Sequence, residues 1–342
     1  MRQIVLEQPG RFASVDAAPP EPRADEALVR VHRVGVCGTD LHAFAGRQPY
    51  FTYPRVLGHE LGVEVVEAPA NGGGIRPGDR CAVEPYINCQ KCYSCRRGHT
   101  NCCENHQTLG VMCDGGMCER MTLPARKLHL SRKLTFEQLA LVETLAIGCH
   151  AISRGDSQPG EHVLVIGAGP IGLSVLEFAR LSGARTMVMD MNDQRLAFVR
   201  EKMGVTDTIF TKGDGEELKR LGELTNGQLA DVVVDATGSN KSMSHALDYC
   251  AFAGRLVYVG ITPEPVSFPP APVLHRRELT LLASRNALAT DFDRIIELIE
   301  DGRIDTRRWI THHADFEAMI GEFPNWLEPE TGVIKAVVSV GV

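Results

Sequence analysis

The run Gly167-Ala168-Gly169-Pro170-Ile171-Gly172 restricts the fold of this chain more than any other feature. It follows the apolar stretch His162-Val163-Leu164-Val165-Ile166, and Pro170 opens a helical apolar pattern that continues to Leu181 and is closed by Gly183. In that context each glycine has a task. The first permits a tight turn, the second lets the backbone approach a pyrophosphate, and the third lets the helix pack close to the strand. The helix N-terminus adds N–H donors and a positive dipole end for the phosphates. Short continuous runs rich in Val, Leu and Ile recur at 185–189, 231–234, 255–259 and 278–282. Such runs are expected of parallel strands buried on both faces, so a doubly wound α/β domain is predicted.

Asp190 ends the second of these strands, where an acid binds the adenosine ribose hydroxyls of a dinucleotide. A carboxylate there repels the extra phosphate of NADP, so NAD is the expected cofactor. Arg195 follows on the next predicted helix and either weakens that preference or is a solvated helix residue. Asp235 ends another strand, near the cofactor or as a helix N-cap.

The first hundred residues differ. Short strands at 27–34 and 62–67 alternate with Gly- and Pro-rich turns at 71–74 and 76–79, the pattern of a β-rich, barrel-like domain. Thr135 to Gln138 fits a capping box at the head of an apolar helix over 136–150. A helix at 291–300 and a strand at 332–338 close the chain. With 342 residues, two domains are favoured. The expected division is 1–150 with 290–342, and 151–289, the final segment returning to the first domain.

Composition excludes several classes. Hydrophobic residues at 44% and charged residues at 23% describe an ordinary globular chain. A net charge of −7 without a Lys/Arg cluster argues against a nucleic-acid partner. Glu7 interrupts what would be the apolar part of a signal peptide, and no apolar run approaches membrane-spanning length. A cytoplasmic enzyme with no membrane partner is expected. The 11 cysteines then point to metal chemistry in a reducing compartment, not to disulfides.

Cys89, Cys92, Cys95 and Cys103 stand in the spacing C-x2-C-x2-C-x7-C within a polar segment. That spacing suits a closed, tetrahedral, four-sulfur zinc site, against the alternative of disulfides or unrelated buried thiols. Cys102 is the one neighbour able to compete with Cys103; Cys81, Cys113, Cys118, Cys149 and Cys250 read as small buried residues. Cys37 follows a Val-rich strand, and His59-Glu60 follows a Pro-rich turn. A thiolate, an imidazole and a carboxylate at loop ends can converge on a second metal. Glu143 lies among Leu139-Ala140-Leu141-Val142 and Leu145-Ala146-Ile147, where an ionised acid needs a partner: a cation, an arginine or its own proton.

These motifs, with Gly35 to Asp40, Gly110 and Asp114-Gly115-Gly116, resemble the zinc-dependent medium-chain alcohol dehydrogenases along essentially the whole chain. The likeness is greatest to the polyol and sugar-acid branch, with sorbitol, threonine and galactitol-phosphate dehydrogenases. The Glu143 segment and Ala283-Ser284-Arg285-Asn286 are most similar to enzymes of the gulonate and galactonate 5-dehydrogenase kind. The resemblance implies a GroES-like β-barrel catalytic domain plus a doubly wound Rossmann domain, and about two zinc ions per subunit. It implies a catalytic zinc held by Cys37 and His59, completed by Glu60, Glu143 or a water, because the larger alcohol dehydrogenases carry a second Cys where Glu143 stands. Thr39 and His42 match the family's proton relay. The implied reaction is NAD-linked oxidation of a secondary alcohol to a ketone. Arg285 and Asn286 are candidate substrate residues; Arg285 could instead pair with Glu143 or bridge a hinge. The strand at 279–282 is near a sheet edge, so a homodimer or homotetramer is expected.

Overall fold

Six strands, all parallel, form one sheet in the order Thr208–Phe210, Arg185–Asp190, His162–Ile166, Ala230–Asp235, Cys250–Tyr258, Thr280–Ala283. The chain winds outward from His162–Ile166 to one edge, returns, and winds to the other, which is the doubly wound order. Leu164, Ile166, Met187, Val233 and Leu256 are buried, as continuous apolar runs require. The strand expected at 255–259 starts earlier, at Cys250, with a register shift opposite Ala230/Val232. Thr208–Phe210 is too short to leave a sequence pattern. The computed structural model describes residues 1–49, 51–70 and 73–341. These divide into two units, Met1–Thr144 with Leu288–Val342, and Leu145–Ala287.

The first unit is built on the path Leu128–Leu130, Arg80–Val83, Glu60–Glu67, Glu26–Val36, Lys335–Ser339, Ile310–Asp315, with Arg120–Pro124 also paired to Glu26–Val36. A smaller sheet joins Arg11–Asp16, Arg2–Gln8 and Arg55–Val56. The strand Lys335–Ser339 lies antiparallel to Glu26–Val36, with Ala336 opposite Val36. Val29, Val31, Val34, Leu61, Val63 and Phe323 form part of its core. Arg76 N–H donates to Asp79 Oδ2 at 2.8 Å, closing the turn at 76–79. Residues 71 and 72 of the turn expected at 71–74 lie outside the described residues.

The helix Phe136–Gly155 begins with the expected box: Gln138 N–H donates to Thr135 Oγ1 at 3.3 Å, and Thr135 N–H to Gln138 Oε1 at 3.0 Å. Its start lies against Gly62, where a Cβ would sit 2.0 Å from Phe136 O, so only glycine admits the helix there. Further along, Gly148 N–H donates to Ser174 Oγ at 3.1 Å. The two ends of this helix therefore pack in different units, and the division falls inside it at Thr144, ahead of the boundary expected at 150.

Candidate metal and cofactor sites

Strand pairing assembles the first site. Gly35 is opposite Glu60 at the end of the ladder between Glu26–Val36 and Glu60–Glu67, and Cys37 and His59 lie just beyond that end. A Cβ on Gly35 would lie 2.1 Å from Glu60 Oε2, so glycine makes room for the carboxylate. The donor atoms of Cys37, His59 and Glu60 all lie within 4.8 Å of one another. Glu143 stands outside that set, and its Oε1 accepts a hydrogen bond from the Tyr86 hydroxyl. Glu60 is held from the other side by Lys335, whose Nζ donates to Oε1 at 2.6 Å, Oε2 at 2.7 Å and Val36 O at 3.2 Å. Asp40 Oδ2 accepts from Cys37 N–H at 2.9 Å, and Asp40 Oδ1 lies 3.6 Å from His59 Nδ1.

The charges of these groups fit a cation. Asp40, Glu60 and Glu143 are all buried beside the Cys37 thiol, and Lys335 is the buried cation among them. Burial raises the carboxyls of Asp40 and Glu143, the response of acids lacking enough positive charge. Burial also disfavours the His59 imidazolium, yet Asp40 and Cys37 outweigh it and hold His59 well above its ordinary value. His59 Nδ1 and Asp40 Oδ1 are buried without a hydrogen-bond partner. A carboxylate facing one imidazole nitrogen orients the other toward a metal, as around zinc-bound histidines. Thr39 and His42 lie one turn apart on the short helix Gly38–Phe44. His42 is lowered below its ordinary value, first by partial burial and then by Arg47.

The second cluster is Cys89, Cys92, Cys95 and Cys103, with Cys102 exposed beside it. Cys89 N–H points at Cys103 Sγ (3.2 Å) and Cys92 N–H at Cys89 Sγ (3.3 Å). The N–H groups of Lys91 and Cys92 pull the Cys89 thiol down to about 6, whereas desolvation pushes Cys103 up to about 11. Of the other cysteines, Cys81, Cys118, Cys149 and Cys250 are buried and Cys113 is half-buried.

In the parallel-sheet unit, Gly167 has φ +99°, and a Cβ on Gly172 would lie 1.7 Å from Gly167 O. Gly169 caps the helix and Pro170 occupies its first turn, with Ile171 and Gly172 following. Asp190 accepts from Ala168 N–H at 2.6 Å and Asn192 N–H at 2.7 Å, which ties the acid to the glycine loop. The Arg195 guanidinium lies over Gly169, with Nη1 3.6 Å from where a Cβ would be. Asp235 accepts from Thr237 and Ser242, a local cap. Arg285 is exposed beyond the strand Thr280–Ala283, and Asn286 follows at φ +51°.

Comparison with known proteins gives the class. Residues 23–133 match the alcohol dehydrogenase GroES-like domain, and residues 170–301 match the zinc-binding dehydrogenase domain. The chain is 35% identical to L-galactonate-5-dehydrogenase of Escherichia coli K12 over 341 residues, 99% of each protein. An alcohol dehydrogenase from E. coli CFT073, solved with NADH, superposes with a TM-score of 0.91 at 27% identity, covering 99% of each chain. A zinc-binding dehydrogenase from Sinorhizobium meliloti, solved with NADP, superposes with a TM-score of 0.90 at 29% identity, covering 99% and 98%. The chain belongs to the zinc-dependent medium-chain alcohol dehydrogenases, enzymes acting on CH–OH donors. Within that family it falls in the polyol and sugar-acid branch. No helix among the described residues is long and apolar enough to cross a membrane.

Three side chains of the first site were not singled out from sequence: Asp40, Tyr86 and Lys335. Asp40 is three residues after Cys37, within reach of the same helical turn. Lys335 carries a signal of its own, a lone lysine among Ile334, Ala336, Val337 and Val338, where a charge requires a partner. Tyr86 has no comparable mark.

Proposed function

We propose that the protein oxidises a secondary alcohol of a polyol or sugar acid to a ketone, with NAD as hydride acceptor. The hexonates L-gulonate and galactonate are the substrates of choice. The observation that carries this reading is the mixed donor set of Cys37, His59 and Glu60. Three protein donors leave a tetrahedral ion one open position, unlike four thiolates. The relative that acts on L-galactonate supports the substrate class. Zinc bound by these residues supplies Lewis acidity toward the substrate oxygen.

Every other step belongs to the chain. Cys37 and His59 hold the ion, His59 being oriented by Asp40. Glu60 either stays on Lys335 or joins the ligands, and Glu143 stands beside them. Thr39 passes the substrate proton toward His42, whose lowered value keeps it a neutral acceptor at pH 7. Gly167, Gly169, Pro170, Ile171 and Gly172 hold the dinucleotide phosphates, and Asp190 accepts from the adenosine ribose. Arg195 lies beside the loop and lends charge to the same phosphates. Arg285 and Asn286 bind the polar end of the substrate. Cys89, Cys92, Cys95 and Cys103 hold the structural zinc, and the subunits associate as a dimer or tetramer. A panel of stereoisomeric hexonates, hexitols, threonine and simple alcohols, assayed with NAD and NADP on protein of measured zinc content, tests the reading. Faster turnover of unbranched alcohols than of any hexonate or hexitol refutes the substrate class. A lack of turnover across the panel favours a non-enzymatic NAD-binding redox sensor.

A further inference from the structure

Glu84, Tyr86 and Asn88 alternate along one extended segment, and each engages different partners. Glu84 takes the Lys127 ammonium and lies 3.6 Å from His129 Nε2. The Tyr86 hydroxyl donates to Glu143. Asn88 Oδ1 accepts from Arg126 Nη1 at 2.8 Å, Asn88 O accepts from Nη2 at 2.9 Å, and its Nδ2 points at Cys95 Sγ at 3.6 Å. Alternate residues of an extended strand share a face. One short segment therefore touches both the four-cysteine cluster and the acid beside Cys37, His59 and Glu60.

The same segment forms the base of the loop that bears the cysteines. Tyr86–Ile87 pairs with Gln107–Thr108, and Leu109 N–H donates to Pro85 O at 3.1 Å. All four cysteines lie in the loop between those strands. A two-residue ladder closing a long loop is marginal, because closure entropy is set against few hydrogen bonds. An ion bound by ligands at both ends of such a loop orders it, since metal binding and folding are linked.

We propose that the four-cysteine ion clamps the reactive site. By closing its loop it holds the Tyr86–Ile87 strand in place, and Tyr86 in turn holds Glu143 beside Cys37, His59 and Glu60. Asn88 and Tyr86 are positioning residues in this linkage, which rests on the reading that both clusters bind zinc.

The test is a double-mutant cycle on the full chain, loaded with zinc and then with cobalt. Chelator competition gives each site's affinity, and cobalt absorption distinguishes the four-sulfur site from the mixed one. Tyr86→Phe is expected to weaken metal binding at the Cys37 site about tenfold or more and shift its cobalt bands, leaving the four-cysteine site unchanged. Asn88→Ala is expected to weaken both sites, and to lose its effect on the Cys37 site once Tyr86 is Phe. If Asn88→Ala does not fold, Asn88→Asp keeps the Arg126 acceptor, removes the donor to Cys95 and sets a carboxylate beside that sulfur, so it too is expected to weaken the four-cysteine site. The proposal is overturned if Tyr86→Phe leaves the Cys37 site unaltered. It is also overturned if the Asn88 variants act equally with and without the Tyr86 hydroxyl, or not at all. Fewer than two ions in the unaltered protein instead sinks the two-metal reading and the clamp with it.

Discussion

Replacing Lys335 with methionine isolates one interaction of the candidate site formed by Cys37, His59 and Glu60. Methionine retains most of the apolar stem but deletes an ammonium that is 1% exposed and hydrogen-bonded to both oxygens of a fully buried Glu60. Removing one member of such a pair strands a charge in the interior, at a cost of about 3–5 kcal/mol. The penalty depends on what else can neutralise Glu60. In metal-free protein only the His59 imidazolium remains near Glu60, so most of the cost appears in the urea midpoint. With zinc bound beside Glu60, the carboxylate gains a second cation and about half the cost should be recovered. Linkage then requires the variant to bind zinc more tightly by the difference, about 2 kcal/mol or roughly thirtyfold. Urea unfolding with and without zinc, paired with chelator competition, measures both quantities. The second variant Lys335→Met/Glu60→Gln should restore most of the metal-free stability, since no charge is left unpaired. A loss below about 1 kcal/mol in the metal-free single variant would refute the argument, because it would mean that Glu60 is already neutral or solvated.

Three further outcomes follow from other contacts. Asp190→Ser deletes a carboxylate that accepts two backbone N–H groups and, on the proposed reading, repels a 2′-phosphate. NAD binding should weaken about tenfold or more and NADP should gain ground, read by fluorescence titration, and an unchanged preference would remove Asp190 from cofactor selection. His129 is raised from 6.5 despite burial, because Asp293 and Glu84 favour its charged form. The stability it contributes is present in full below pH 6.5 and is lost as pH rises through the folded-state value. Asp293→Asn should flatten that alkaline loss by about 0.5–1 kcal/mol, small because the Asp293 carboxylate is largely exposed; an unaltered slope would exclude the pair. Finally, Thr280–Ala283 ends its sheet among the described residues, and Leu281 is 40% exposed there. Leu281→Arg should lower the solution mass to that of one chain; a mass already at one chain in the unaltered protein ends the oligomer proposal.

What was legible in the sequence follows the range of each interaction. The glycine loop, the four-cysteine spacing and the Thr135–Gln138 box are local: their residues lie close along the chain, and backbone geometry alone brings them together. The parallel strands were legible because burial on both faces leaves an unbroken apolar run. Arg2–Gln8 and Ile310–Asp315 were not, since each is only partly buried and carries no such run. Glu143 announced itself as an acid among apolar neighbours, but its partner Tyr86 is 57 positions away. Lys335 reaches Glu60 across 275 positions, a pairing fixed by the strand order and not by any local pattern.

The two clusters also differ in how their charge is managed, and this bears on what each can do. Apart from the Asn88 amide on Cys95, the four-cysteine cluster draws its support from nearby backbone: N–H groups of Lys91 and Cys92 on Cys89, and of Cys95 and Glu104 on Cys92. Those donors are fixed by the turn and cannot leave, which suits a closed site that keeps its ion. Around Cys37 and His59 the support comes instead from side chains on separate elements: Lys335 on Glu60, Tyr86 on Glu143, Asp40 on His59. Side chains can exchange partners without unfolding the backbone, so Glu60, held by Lys335, would have a second cation at hand if zinc bound among Cys37, His59 and Glu60. On the proposed reading, an acid placed between the lysine and a bound zinc would let the ion change ligands at little cost to the fold. A site restrained only by backbone could not do this, so on the proposed reading the acid-rich cluster suits exchange at a metal and the sulfur-rich one suits its retention.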